Sequence, residues 1–384
     1  MSPCTARMHY LYRLVLLGVS FACLWFMLSQ RFCLSGFCTE HGALRSANDD
    51  TINATLGFEK LFVINLPARS DRRDAMTLTG ALTGLNFTWS QGVSGGQVPD
   101  KDLPVDSIDK TITKGNKGSW RAHMNVLQAI LNQNISSALI LEDDIDWDIR
   151  LKSQLQTVSH ATILYLHLLA SSLSYQRTIT LPASSPPGLS RQKVTYGSNW
   201  DVLWLGHCGA DFPSASSHLP LHRIQYPDET MPGPSHLRPH PLAGTDDILN
   251  VQHPPHHRVV HAAGAGTICT QAYAVSHRGA ARLLWKLGLE TFTTGFDLML
   301  RDWCGGAYEK DVEGTDRPVC VTVQPPLFVQ HYGKGGESDI TQPGGGYIDR
   351  GKEMSPYLMK SVRLNLGPLV KGEGMEGCRN QWPD

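Results

Sequence analysis

The chain is 384 residues long, enough for one large domain or two ordinary ones. Its 34 lysines and arginines nearly balance 35 aspartates and glutamates, and no basic stripe breaks that balance. Bulk nucleic-acid binding is thereby excluded as the leading role.

Residues 14–28 carry no charge and are bracketed by Arg13 and Arg31. The stretch is short for a membrane span, which usually takes roughly 17–25 residues. With Arg7 and Arg13 ahead of it, the positive-inside rule leaves the N-terminus in the cytosol. A cleaved signal peptide is the competing reading, but no small-x-small cleavage site follows Leu28. The expected layout is a cytosolic tail over 1–13, an uncleaved transmembrane anchor over 14–30, a polar stem over 31–57 and a globular body over 58–384. Three sequons, Asn53-Ala54-Thr55, Asn86-Phe87-Thr88 and Asn134-Ile135-Ser136, suit a lumenal body. So do seven cysteines beyond the anchor: Cys33, Cys38, Cys208, Cys269, Cys304, Cys320 and Cys378. Their odd number leaves at least one thiol free or paired between chains, and sequence does not give the connectivity. No short paired spacing of the zinc type occurs among them.

The body opens on Leu61-Phe62-Val63-Ile64-Asn65-Leu66, a buried-strand pattern ended by Pro67. Arg69, Arg72 and Arg73 follow, either as a solvated helix start or as guanidinium groups placed for phosphate oxygens. Gly118-Ser119 precedes a helix, with Ser119 as its N-cap. Trp120, His123, Met124, Leu127, Ile130 and Leu131 fall on one face of that helix. His123 reads first as a satisfied core residue.

Next comes Ala138-Leu139-Ile140-Leu141, running into Glu142-Asp143-Asp144-Ile145-Asp146-Trp147-Asp148. Five carboxylates in seven positions follow four apolar residues. Side chains alternate faces on an extended chain, so Glu142, Asp144 and Asp146 would share one. That face repels itself unless a cation neutralises it, and hard oxygen ligands suit Mg²⁺ or Mn²⁺. In open α/β sheets ligands bind beyond the carboxyl ends of strands. A solvated loop or a helix start is the bland alternative.

Residues 149–170 read as helix, and 171–199, rich in Ser and Pro, as a loop insertion. Asp201-Val202-Leu203-Trp204-Leu205-Gly206 reads as a strand. Residues 211–258, dense in Pro and His, read as a second, surface insertion of low helical content, with His253, His256 and His257 exposed. Gln271 to Ser276 is strand-like, Arg278 to Leu287 helical, and Pro325 to His331 a last strand. Asp297 stands alone among apolar residues in Thr294 to Leu300, either as an N-cap or as a functional acid. The glycines after Lys334 lack a P-loop ending.

Taken together these blocks resemble glycosyltransferase family 25, the lipopolysaccharide-type and collagen-type galactosyltransferases. The resemblance rests on Val63-Ile64-Asn65-Leu66 with Asp71-Arg72-Arg73; Gly118 through His123; Ala138 through Asp144; Trp200 through Gly206; Gly266-Thr267 with Ala272 through Ser276 and Gly279-Ala280; Phe296-Asp297-Leu298; and Pro325-Pro326-Leu327. The chain departs from it at Ser119, where the family often has cysteine, and in its two insertions. The resemblance implies a GT-A-like, Rossmann-type α/β sandwich with a mixed central sheet. It also implies a UDP-sugar donor, Mn²⁺ or Mg²⁺, and inverting transfer of a hexose, galactose foremost, to a glycan or glycoprotein in the Golgi or ER. On that footing Asp144, Glu142 and His331 are the expected metal ligands, with Asp146 a lesser one. Asn65, Arg69, Arg72 and Asp143 are the expected donor contacts, and Asp297 the catalytic base. Two other classes remain: a catalytically silent carbohydrate-binding protein on the same fold, and a glycosidase using a carboxylate pair.

Overall fold

The computed structural model describes residues 53–104, 107, 112–171, 178–182, 195–237, 248–308, 317–334 and 352–383. The expected tail (1–13), anchor (14–30) and most of the stem (31–57) lie outside the described residues. Among the described residues no helix is long and apolar enough to cross a membrane.

Strand β3 (Ser137–Glu142) shows how the body is layered. Leu139 and Leu141 pack into one apolar cluster, Ala138 and Ile140 into another on the opposite side. A strand buried on both faces needs apolar residues at every position, which is why Ala-Leu-Ile-Leu runs unbroken. β1 (Lys60–Asn65) pairs with β3 in parallel, and β2 (Phe87–Gln91) pairs with β1. On the other side β9 (Ala272–Ser276) pairs antiparallel with both β3 and β6 (Val202–Gly206). Then come β10 (Cys320–Gln324), β8 (His257–Ala262), β7 (Arg223–Pro227) and β5 (Thr178–Thr180). The order is β2-β1-β3-β9-β6-β10-β8-β7-β5, a mixed central sheet as expected.

Helix α1 (Ser70–Thr83) connects β1 to β2, and α2 (Lys114–Asn132) leads into β3. Trp120, Met124, Leu127 and Ile130 of α2 are all fully buried, so its apolar stripe is the packed face. α2 begins earlier than its expected start at Ser119: the cap is Thr113, whose Oγ1 accepts from Asn116 N at 3.2 Å. Gly118 lies inside the helix because the preceding loop crosses it closely. A Cβ there would stand 2.3 Å from the carbonyl oxygen of Val93.

α3 (Leu151–Ala170) covers the other face, where Leu155, Val158 and Tyr165 join the cluster of Leu139 and Leu141. A short α4 (Ile248–Gln252) precedes β8, and α5 (His277–Leu283) runs into a π-helical turn (Leu284–Glu290). α6 (Phe296–Cys304) carries Asp297, and α7 (Leu366–Val370) lies near the C-terminus.

Three expectations are corrected. The segment 211–258 is no mere surface insertion, because β7 enters the sheet between β8 and β5 with Ile224 and Tyr226 buried. His253 is buried, not exposed; it hydrogen-bonds Gln225 Oε1 at 2.7 Å, and burial pulls its pKa down to about 4. Within 171–199, Thr178–Thr180 forms the edge strand β5, while 172–177 and 183–194 are outside the described residues. The last strand, β11, is only Phe328–Gln330 and pairs with β6 and with β4 (Ile145–Trp147).

Disulfides join Cys208 to Cys269 and Cys304 to Cys320. Cys378 is a buried free thiol, and Cys33 and Cys38 are outside the described residues. The sequon residues Asn53, Asn86 and Asn134 are exposed.

Candidate active site

A turn at Asp143-Asp144 decides the site. β3 ends at Glu142, the chain reverses, and β4 departs to pair antiparallel with β11, Asp146 opposite Val329. His331 N donates to the carbonyl oxygen of Asp144 at 2.8 Å and holds that turn. The backbone is therefore not extended through the acids, and the expected common face of Glu142, Asp144 and Asp146 does not form.

Asp146 goes inward and is wholly buried. Its Oδ2 accepts from Ser355 Oγ at 2.6 Å and from Ser361 Oγ, and its Oδ1 accepts from Trp147 N at 2.8 Å. Burial raises its pKa, and the two hydroxyls oppose that rise. Asp146 is an anchor for the C-terminal segment, not a ligand.

Asp143 meets two of the expected donor-contact residues. Its Oδ2 accepts from Asn65 Nδ2 at 2.8 Å and its Oδ1 from Arg72 Nη1 at 2.9 Å. Arg72 Nη1 also lies 3.2 Å from Asp144 Oδ2. Burial opposes its charge, but Asp144 and Asp143 outweigh that and raise its pKa. Arg69 pairs its guanidinium with Asp71 at 2.7 Å, while its carbonyl accepts from Asn65 Nδ2 at 3.1 Å.

Asp144 Oδ2 accepts from Gln330 Nε2 at 3.2 Å, whereas its Oδ1 is buried with no hydrogen-bond partner. Glu142 Oε1 accepts from Thr270 Oγ1 at 2.9 Å. Burial first, then the Asp144 charge, pushes the Glu142 pKa well above the usual carboxylate range; the Asp297 charge adds to the push. Burial likewise raises Asp144, against the pull of Arg72. These carboxylates hold their charge at a cost that a cation would relieve.

Acidic turn and Arg72 open onto a cavity of about 700 Å³. The end of β1, the loop over 91–97 and the first turns of α2 line the rest of it, Lys114 and Ser119 among them. His123 also lines it, but its Nδ1 hydrogen-bonds Tyr273 Oη at 2.9 Å and its ring stacks on Phe296 at 4.2 Å. Burial lowers its pKa to about 3, the mark of a neutral core histidine.

Asp297 sits in the first turn of α6, two residues beyond the cap Gly295, so it is not the N-cap. Its Oδ2 accepts from Cys269 N at 2.9 Å. The adjacent residue Thr270 bonds Glu142 at the acidic turn, and the Asp297 charge helps to raise the Glu142 pKa.

His331 does not point a ring nitrogen at the acids. Nδ1 hydrogen-bonds Ser355 Oγ and Nε2 pairs with Glu353, each at 3.0 Å. Its expected role as a ligand has no support in this geometry; it ties the C-terminal segment to the turn.

Glu142 and Asp144 both line the cavity and are the carboxylates there that could hold a hard divalent cation. Among the described residues no group of three or more His, Cys, Asp or Glu side chains is arranged to hold a metal. Mg²⁺-type ions at nucleotide sites commonly take one or two carboxylates and complete their shell with phosphate oxygens and water. Asp144 Oδ1, buried and unpaired, is the donor atom that matches that need.

Arg363 escaped the sequence reading. Its Nε donates to the Ile145 carbonyl at 2.8 Å and its Nη2 to the Asp143 carbonyl at 3.0 Å, across 220 positions of chain. It sets a positive charge under the acidic turn, and nothing near Arg363 in sequence signals this. Replacing it by Met leaves that turn without its counter-charge. The expected loss is roughly 2 kcal/mol, discounted for partial exposure, measured by urea unfolding.

Residues 58–199 match the family described as Glycosyltransferase family 25 (LPS biosynthesis protein). Procollagen galactosyltransferase 1-A of Xenopus laevis is 30% identical over 167 residues, 39% of this chain and 27% of that protein. Procollagen galactosyltransferase 1 of Danio rerio is 29% identical over 116 residues, 27% of this chain and 19% of that protein. A protein of Bos taurus described as "Probable inactive glycosyltransferase 25 family member 3" is 28% identical over 120 residues, 26% of this chain and 19% of its own length. The chain thus spans about a quarter or less of the relatives it matches. The matched segment contains Asn65, Arg72 and the whole acidic turn, though neither Asp297 nor His331. Residues 58–199 of this chain are thus similar to glycosyltransferase family 25.

Proposed function

We propose that the chain is a glycosyltransferase moving a hexose, galactose foremost, from a UDP-sugar to a hydroxyl of a glycan or glycoprotein acceptor, with inversion. The observation that carries this reading is the buried, unpaired Asp144 Oδ1, with Asp144 and Glu142 both lining a cavity of about 700 Å³. A cavity of that size lies within the usual range for small-molecule sites.

Glu142 and Asp144 would hold Mn²⁺ or Mg²⁺, which when bound would supply Lewis-acid neutralisation of the leaving diphosphate. Asn65 and Arg72 fix the Asp143 carboxylate at 2.8 and 2.9 Å, so that Asp143 faces the donor in one orientation. Arg72 adds positive charge on the cavity wall. Asp297 takes the proton of the acceptor hydroxyl as its oxygen bonds to the sugar C1; the C1–O bond to the diphosphate breaks and UDP leaves with the electron pair. The two disulfides and the three exposed sequon asparagines support a body in an oxidising lumen of the Golgi or ER, anchored by residues 14–30.

A catalytically silent sugar-binding protein is the second reading, favoured by two relatives whose descriptions include the word inactive. One assay separates them. The full chain, solubilised in detergent, is given UDP-galactose and an acceptor panel that includes procollagen-type glycoprotein, with Mn²⁺ or EDTA. Release of UDP with a galactosylated product, abolished by EDTA, is expected. Donor binding with no product across the panel would establish the silent reading instead.

A further inference from the structure

Glu142 and Asp297 come from elements more than 150 positions apart, yet adjacent residues of one loop hold them both. Cys269 N donates to Asp297 Oδ2 and Thr270 Oγ1 donates to Glu142 Oε1, each at 2.9 Å. The next residue continues the tie: Glu142 N donates to the Gln271 carbonyl at 3.1 Å. The Cys269 N–H and the Thr270 side chain are joined through the Cys269 α-carbon and one planar peptide unit, so φ and ψ of Cys269 set how the two acids stand to each other.

That linkage is itself pinned. Cys269 has φ 64°, the left-handed region that favours glycine. Three restraints surround it: the disulfide to Cys208, the hydrogen bond from Trp204 Nε1 to the Cys269 carbonyl at 2.9 Å, and the paired hydrogen bonds between Cys208 or Gly209 and Ile268. Without the disulfide, a β-carbon at this position favours relaxing away from positive φ. Any such relaxation swings the Cys269 N–H off Asp297.

We propose that Cys269 and Thr270, fixed by the Cys208–Cys269 disulfide, form a positioning bridge that sets the acceptor-side acid Asp297 against the donor-side acid Glu142. The proposal rests on the reading of Asp297 as the base. Oxidation of this cysteine pair then sets turnover and leaves donor binding alone. The second disulfide, Cys304–Cys320, ties the far end of α6 to β10 and makes no such link, which supplies an internal control.

The test uses the full chain, with kcat from steady-state turnover and donor Kd from calorimetry with UDP-galactose. Cys208→Ser/Cys269→Ser is expected to lower kcat at least tenfold with donor Kd within twofold. Cys208→Ser/Cys269→Gly, which keeps access to positive φ, is expected to recover at least threefold of that loss. Cys304→Ser/Cys320→Ser is expected to hold kcat within threefold of the parent. Unchanged kcat in the first variant overturns the proposal, as does a kcat loss matched by lost donor affinity or an equal loss in the control. Should the first variant fail to fold, Thr270→Val in the oxidised protein decides. A kcat loss of about fivefold supports the bridge and an unchanged kcat overturns it. Asp297→Asn runs alongside: if it stays active, the reading of the site itself fails. If it is inactive while Cys208→Ser/Cys269→Ser is normal, only the bridge fails.

Discussion

Asp144→Asn is expected to lower cation-dependent transfer by about 10³-fold while the fold survives. Neutralising a departing diphosphate is worth several kcal/mol, and each 1.36 kcal/mol is tenfold in rate. The substitution is nearly isosteric, and the amide oxygen can still accept from Gln330, as Asp144 Oδ2 does at 3.2 Å. What it removes is charge at the buried, unpaired Oδ1. Stability should not suffer. Burial raises the Asp144 pKa, so this group stabilises the fold at low pH and ceases to as pH climbs through its folded value. At neutral pH a permanently uncharged amide avoids that penalty, and the melting temperature is expected to stay level or rise. Turnover with and without Mn²⁺, beside a thermal melt, checks both halves. A variant that keeps full, metal-independent activity would remove Asp144 from the site.

Asp297→Asn is expected to cut kcat by about 10²–10⁴-fold with donor affinity unchanged, the usual worth of a positioned general base. The amide oxygen can keep the hydrogen bond that Asp297 Oδ2 now accepts from Cys269 N at 2.9 Å, so the loop should not move. Loss of donor binding in proportion to kcat would instead make Asp297 a donor contact. The pairing with Asp144→Asn is informative, because one variant should lose metal dependence and the other only the chemical step.

Elements with a clear period were legible from the start. The stripe Trp120, Met124, Leu127, Ile130 is buried throughout, and Ala138 to Leu141 is the two-faced strand it reads as. His123 proved the core residue its setting suggested. Less legible were features whose cause lies elsewhere in the chain. Gly118 looked like a helix boundary because its reason for being glycine, the Val93 carbonyl, is remote. β7 looked like insertion because Pro and His dominate its surroundings, while Ile224 and Tyr226 carry the strand. β10 carries a short β-branched run, Val321-Thr322-Val323, and its place in the sheet comes from its neighbours β6 and β8.

The acidic cluster divides along the same line. Composition alone determined that carboxylates gather where a buried strand surfaces, since self-repulsion at that density demands some compensation. Which carboxylate faces the cavity was settled by the turn at Asp143-Asp144, and that turn is held by partners from the end of the chain. Ser355 and Ser361 draw Asp146 inward, Arg363 braces the turn, and Glu353 occupies His331. Local sequence encodes period and charge through short-range sterics and repulsion. The assignment of one buried carboxylate as anchor and its neighbour as open donor depends on hydrogen bonds closed across some 200 residues, and those exist only once the chain is folded.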